Sequence, residues 1–503
     1  MQSLAPLRAS LLALLLVTGC GDAREALVGG ALDAMIKEAS ATDDASRLSS
    51  DAPVPVEASV VPDVPMAHPD VAFDAPTTVT IDVPMDAPRD VPRDLPPDAS
   101  RDAGVDASVR PGDPARPFGA HTQPYPPGTL APTQSPAALD RATAALYDRW
   151  KAAHVVARCG AGRYLVDTDG DTTGATVSEA HGWGMVITVL MAGHDPAAHT
   201  VFDGMVRYYQ DHPSSIDPAL MAWAQGRDCR NVSGSDAATD GDLDIAYALL
   251  LADRQWGSRG ALDYAALARR MMAAILRREV HPTARTLLVG DWAQGDAQAD
   301  GTRLSDYAID HLRAFRRASG DAAWDVVIRR SYEVIAQLQT GYSRDAAGTV
   351  TGLVPDFAVG MVARDARPAP ARWLEGPNDG AYSWNSCRTP WRLATDYLVS
   401  GETRARDAVR PMAGWSRRVS GMRPASIASG YSLRGERLGG TDPGEMAFIA
   451  PFAVAAMTDP TQQAWLDALW SHLVAAPYGS SRYFGNSIRL LSMIVVSGNW
   501  WAP

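Results

Sequence analysis

Among the 503 residues, the side chains best placed to do chemistry are carboxyls at the mouths of apolar helical patterns. Asp240, Asp242 and Asp244 stand at alternate positions in Asp236-Ala-Ala-Thr-Asp-Gly-Asp-Leu-Asp244, just ahead of an apolar run that ends near Trp256. Leu243, Ala246, Tyr247, Leu250 and Leu251 recur at helical spacing, which predicts a helix with one stripe on the core. Asp240 falls in its first turn, where the positive end of the helix dipole favours an ionised carboxylate. Upstream, Glu179 opens a second such pattern in Ser178-Glu-Ala-His-Gly-Trp-Gly-Met185. Desolvation in an aromatic cleft raises a carboxyl's pKa, and one protonated acid beside one ionised acid is what general acid–base chemistry requires. Thr239 and Asp240 would also serve as plain helix caps, as would Ser178 ahead of Glu179, so spacing alone leaves chemistry and capping both open.

The elements that must position these acids are helical. From residue 119 onward, helical patterns alternate with Gly/Pro-rich connections, and strand-like alternation is scarce, which predicts an all-α domain. Twelve patterns are read, over 137–155, 179–192, 198–211, 240–256, 264–278, 306–318, 322–338, 389–399, 404–419, 443–456, 461–474 and 486–496. Asp167-Thr-Asp-Gly-Asp171 begins like a calcium loop but has Thr172 where Gly is needed and Ser178 where the closing Glu is needed, so it reads as a polar loop without metal. Cys159, Cys229 and Cys387 lack zinc-type spacing. An oxidising compartment would permit a Cys159–Cys229 bridge, and Cys387 reads as a small buried side chain.

The first 118 residues differ in kind. Residues 1–20 carry one early positive charge, a short apolar core and Val-Thr-Gly-Cys20, the pattern of an export leader ending in a lipobox whose Cys20 would carry lipid. Residues 21–118, dominated by Ala, Asp, Pro and Val, lack the apolar mass to offset ordering entropy and read as a tether. Export and membrane anchoring through lipid are therefore expected, with no spanning helix in the mature chain. Residues 1–115 hold 19 of the 58 acids and 8 of the 46 bases, so the remaining 39 and 38 nearly cancel. The net charge of −12 is thus a property of the tether and no argument for a cationic polymer. No basic cluster suggests nucleic acid.

Together, Ser178-Glu-Ala-His-Gly-Trp-Gly-Met185 and Ala238-Thr-Asp-Gly-Asp-Leu-Asp-Ile-Ala246 resemble the signatures of glycoside hydrolase family 8. That family comprises inverting endo-glycanases, including cellulases, lichenases and chitosanases. Gly352-Leu-Val-Pro-Asp356, Arg388-Thr-Pro-Trp-Arg392 and Tyr483-Phe-Gly-Asn-Ser-Ile-Arg-Leu-Leu491 extend the resemblance through most of residues 119–503. It implies an (α/α)6 barrel of six helical hairpins, a monomer acting on a β-linked glucan or glucosamine polysaccharide without a cofactor. It makes Glu179 the proton donor and Asp240 the acid that grips the sugar at the cleavage point. Gly182 and Gly184 would let a sugar approach the backbone closely. Trp223 and Trp292 match substrate platforms, and Tyr382, Asn385 and Arg388 complete the implied sugar contacts. The usual water-activating Asp is replaced by Asn385, which cannot act as a base. A subgroup with Asn there draws its base from a loop Glu, and Trp373-Leu-Glu375-Gly-Pro-Asn-Asp379 resembles that loop, implicating Glu375, with Asp379 as the alternative.

Overall fold

The computed structural model describes residues 113–503 except residue 173. The leader, Cys20 and nearly all of the tether lie outside the described residues. Among the described residues there are twelve α-helices: α1 (Pro136–His154), α2 (Ser178–Leu190), α3 (Ala198–Asp211), α4 (Thr239–Trp256), α5 (Tyr264–Arg278), α6 (Ile309–Ser319), α7 (Ala323–Tyr342), α8 (Thr389–Ser400), α9 (Thr403–Ser420), α10 (Met446–Ala456), α11 (Gln463–Ala475) and α12 (Tyr483–Val496).

Composition sorts these helices into two layers. A helix apolar on one stripe packs by one face, and one apolar all round must be enclosed. α5 buries the stripe Leu267, Met271, Ala274 and Ile275 and leaves its arginines out. α10 buries all 11 of its residues and α12 all but Phe484, so these lie inside. The inner helices α2, α4, α6, α8, α10 and α12 pack in succession, and α12 returns to α2, closing a ring; α6 is the exception to the compositional rule, since its 317–319 end is exposed. α3, α5, α7, α9, α11 and α1 each back one of them, which makes the (α/α)6 barrel. The single-stripe expectation for α4 fails, because 15 of its 18 residues are buried. As an inner helix, α4 has neighbours on every side.

Three small antiparallel sheets shape one rim. β1 (Val155–Ala157) pairs with β2 (Tyr164–Val166), and β3 (Thr176–Val177) pairs with β4 (Ala224–Gln225). In the third sheet β6 (Phe357–Val359) lies between β5 (Gly301–Arg303) and β7 (Arg367–Pro368), with Arg303 opposite Phe357. Cys159 and Cys229 form a disulfide with Cα atoms 5.5 Å apart, tying the β1–β2 loop to the turn after β4, while Cys387 is free and buried.

Two boundaries move from their expected places. The helix predicted over 306–318 starts only at Ile309, because Leu304–Asp306 forms a 3-10 turn that brings the Asp306 carboxylate to 3.9 Å from Arg303 Nε. Residues 113–118 already belong to the barrel and not to the tether. There the Ala115 N–H donates to Gln255 O at 3.0 Å, and the Phe118 N–H donates to Ala192 O at 2.7 Å. Composition missed this because backbone amides need no apolar side chain to find acceptors.

Candidate active site

The chemistry collects where the inner helices begin. Glu179 occupies the first turn of α2, and its approach is set by β3 and by the Ser178 N–H, which donates to Trp223 O at 2.8 Å. Asp240 occupies the first turn of the neighbouring α4. The two helix entrances come close because glycine stands where they cross. A Cβ on Gly182 would lie 2.8 Å from Asp244 Cβ and 2.9 Å from Gly241 O, and one on Gly241 would overlap Ser178. One on Gly184 would overlap Val166. Gly182 and Gly184 therefore serve packing between elements, correcting the expectation that they make room for sugar.

Arg388, in the turn before α8, ties the acids together. Its guanidinium is buried; Nη1 pairs with Glu179 and lies 3.1 Å from Asp240 Oδ2. Arg303, at the end of β5, reaches the same Asp240 oxygen at 2.6 Å. These neighbours divide the two carboxyls. Burial pushes Glu179 up to about 8, against the pull of Arg388 and with the Asp240 charge adding to the rise. Asp240 is also pushed up by burial, but Arg303 and Arg388 outweigh that and hold it below its ordinary value. One protonated and one ionised carboxyl thus share a wall.

The third acid arrives from the loop. Asn385 Nδ2 donates to Glu375 Oε2 at 2.7 Å, while its Oδ1 accepts from Arg388 Nη2 at 2.7 Å. Glu375 and Glu179 are therefore joined through two intervening side chains, Asn385 and Arg388. Asp379 is turned away from this chain. It accepts the N–H groups of Leu374, Glu375 and Gly376 at 2.7, 3.0 and 2.8 Å, which folds the loop and presents Glu375. From the other side, buried Asp356 accepts the N–H groups of Ser383, Asn385 and Ser386 and the Ser386 hydroxyl.

Below the rim a charged brace holds three inner helices. Arg392 of α8 grips Asp244 of α4 through two bonds of 2.9 and 2.5 Å, and His311 of α6 donates to Asp244 Oδ1 at 2.9 Å. Asp242 points elsewhere, accepting the Met221 N–H at 2.9 Å. The three alternating acids of α4 thus have three different surroundings.

Aromatic placement is mixed. Trp223 and Trp292 are half-buried. Trp223 is placed through its backbone bond to Ser178, and Trp292 lies against Gly290, whose strand-like bridge to Ala238 leads into α4. Tyr382 departs from expectation: its ring is fully buried against Trp415, Phe448 and Phe452, so it is part of the core and not a sugar contact. Arg388, 1% exposed, is likewise enclosed, and it faces the acids. Sequence reading missed Trp384, which is 45% exposed beside Asn385 with Phe448 and Phe484 at its flanks. Its place between Ser383 and Asn385 in a polar segment was the available signal.

The acids of the calcium-like loop are met by arginines: Arg158 Nη1 lies 3.0 Å from Asp167, and Arg482 Nε lies 3.1 Å from Asp171. Among the described residues no group of three or more His, Cys, Asp or Glu side chains is placed to hold a metal ion.

This constellation coincides with a family match. Residues 132–498 fit the model of glycosyl hydrolases family 8. The chain belongs to that family. It is 45% identical over 392 residues to a beta-glucanase of Niallia circulans, covering 77% of this chain and 92% of that one. An endoglucanase of Bacillus sp. (strain KSM-330) is 35% identical over 387 residues, covering 75% and 80%. The solved apo structure of a beta-1,3-1,4-glucanase from Paenibacillus sp. X4 superimposes with a TM-score of 0.72 at 43% identity, covering 77% of this chain and 99% of that one. The protein is accordingly a glycoside hydrolase, with the barrel expected for family 8.

Proposed function

We propose that this family 8 enzyme is an inverting endo-β-glucanase, with mixed-linkage or β-1,4-linked glucan as its substrate, Glu179 as general acid and Glu375 as general base. The observation that carries the reading is the chain Glu179–Arg388–Asn385–Glu375, which separates the two carboxyls by two hydrogen-bonded side chains. An inverting site must leave room for a water between base and sugar, typically with carboxyls about 6.5–9.5 Å apart. In the proposed step the Glu179 proton passes to the glycosidic oxygen as the C1–O bond breaks. A water on the opposite face forms the new C1–O bond and gives its proton to Glu375. Asp240 stays anionic beside the developing positive charge of the sugar ring. Trp223, Trp292 and the exposed Trp384 are the proposed stacking surfaces, since apolar sugar faces pack on such rings.

The names of the relatives, beta-glucanase, endoglucanase and beta-1,3-1,4-glucanase, support glucan over chitosan. The test is reducing-sugar release by the full chain on lichenan, carboxymethylcellulose and chitosan, with NMR of the first product. Lichenan and carboxymethylcellulose should be cleaved with an α-configured product. Glu375→Ala should abolish turnover, with external azide restoring part of it as an α-glycosyl azide. Retained β-configuration, or normal activity in Glu375→Ala, would refute the assignment of the base. Preference for chitosan would refute the substrate.

A further inference from the structure

We propose that Arg303 is a positioning residue of the reaction, acting through Asp240: its guanidinium holds Asp240 as the anion that Glu179 works beside. The inference rests on the acid–base reading above. Arg303 closes β5, whose register against Phe357 and Val359 of β6 aims the side chain inward, and its Cζ lies 5.8 Å from the Phe357 ring. A Cβ on Gly301 would overlap the Trp373 ring, so β5 packs directly under the loop that carries Glu375. In the 2.6 Å Arg303–Asp240 pair Asp240 is buried and Arg303 largely so, with side-chain exposures of 5% and 11%.

The charges explain why a second arginine is needed. Before proton transfer Glu179 is neutral, and Arg388 is free to serve Asp240 as well. When Glu179 gives up its proton it becomes a carboxylate already paired with the same Arg388 nitrogen. From then on one guanidinium faces two buried anions, and an uncompensated buried charge is strongly unfavourable. Arg303 supplies the missing cation before the step takes place. The groups facing Asp240 are Arg303 of β5, Arg388 before α8, Glu179 of α2, Asp242 and Asp244 of α4 and Tyr483 of α12, with Asp306 beside Arg303. Glu375 adds to the negative field on Arg303. Asp244 is already committed to Arg392 and His311, so no other cation is in reach of Asp240 among the described residues.

The experiment is the pH dependence of kcat/KM on soluble β-glucan for wild type, Arg303→Met and Arg303→Lys, with circular dichroism as the folding control. Without the cation, both Asp240 and Glu179 hold their protons to higher pH. In Arg303→Met the alkaline limb, set by Glu179, should therefore move up by about 1 unit, with kcat reduced roughly a hundredfold. Arg303→Lys, which keeps the charge, should leave the limb in place. A folded Arg303→Met whose rate falls equally at every pH with an unmoved limb would show a merely structural role and overturn the proposal. If Arg303→Met does not fold, Asp240→Asn with Arg303→Met removes both members of the pair, leaving only Asp306, already pushed up to about 7, to take up a proton, and carries the test. It should match Asp240→Asn alone, and a further loss of more than about tenfold would overturn the proposal. Glu179→Gln measured alongside separates the two readings: if it is fully active, the acid–base assignment fails, whatever Arg303 does.

Discussion

Replacing Glu179 by Gln keeps the side chain's shape and its ability to accept from Arg388 while deleting the proton. The effect follows from the pKa that the site imposes. With a pKa of about 8 instead of the ordinary 4.5, roughly 90% of the enzyme holds the acid form at pH 7, against roughly 0.3% for an unperturbed Glu. Burial therefore makes the acid form about 300 times more abundant at neutral pH. Losing a positioned general acid typically lowers turnover 10²–10⁴-fold, about 2.7–5.4 kcal/mol in the barrier. Wild-type kcat/KM on soluble β-glucan should fall tenfold per pH unit above about pH 8, and this limb should vanish in Glu179→Gln. Aryl glycosides with good leaving groups should recover much of the loss, because they need little protonation. Stability should move oppositely. The folded state keeps a proton that the unfolded chain releases, so the wild type loses stability as pH rises from about 4.5 to about 8. Over that window Glu179→Gln should gain on it, as read by urea titration at a series of pH values. An alkaline limb that survives in Glu179→Gln would refute the reasoning and point to Asp306 or Asp356, both buried and pushed up to about 7.

Two further predictions concern the frame. The Cys159–Cys229 bridge closes a loop of 70 residues, for which chain entropy gives about 4.4 kcal/mol, so the double Ser variant should melt about 5 °C lower with wild-type activity at 25 °C. Glu279 is fully buried and hydrogen-bonded to the buried Asp242 carboxyl, and it is raised by burial and then by the neighbouring Asp242 charge. Its proton is kept only in the folded state, so Glu279→Gln should gain stability on the wild type as pH rises above the ordinary carboxyl value of 4.5; a pH-independent difference would contradict this.

The barrel was legible because helical periodicity survives in both layers, and all twelve patterns fell on helices. The short rim sheets were not, since strands of two or three residues such as Thr176–Val177 carry no alternation to read. Glu179, Asp240, Glu375, Asn385 and Arg388 were all named from the family resemblance, and the fold brings them into one connected group. Arg303 was missed because its partner lies 63 positions away and nothing local marks Gly301-Thr-Arg303 as special. Tyr382 was misjudged because an aromatic beside a polar motif looks the same whether its ring faces the cleft or, as here, the core. The glycines of the Glu179 motif were recognised, but their purpose shows only once α2 and α4 are seen to cross on them.

In the proposed mechanism, the loop base Glu375 and the rim amide Asn385 belong together. The Asn385 side chain meets a carboxylate on one side and a guanidinium on the other, both at 2.7 Å, and the amide donates to the first while accepting from the second, which a carboxylate cannot do. A carboxylate at 385 would satisfy Arg388 but would face the Glu375 oxygen at hydrogen-bond distance. Two such anions cannot both stay ionised without a proton between them, and the base must be ionised to accept one from water. With the amide, Glu375 gains a donor, while Arg388 keeps an acceptor that leaves its Nη1 for Glu179 and Asp240. In the proposed mechanism, a base at position 375 and a neutral side chain at position 385 therefore require each other, because either alone would leave a charge or a hydrogen bond unmatched.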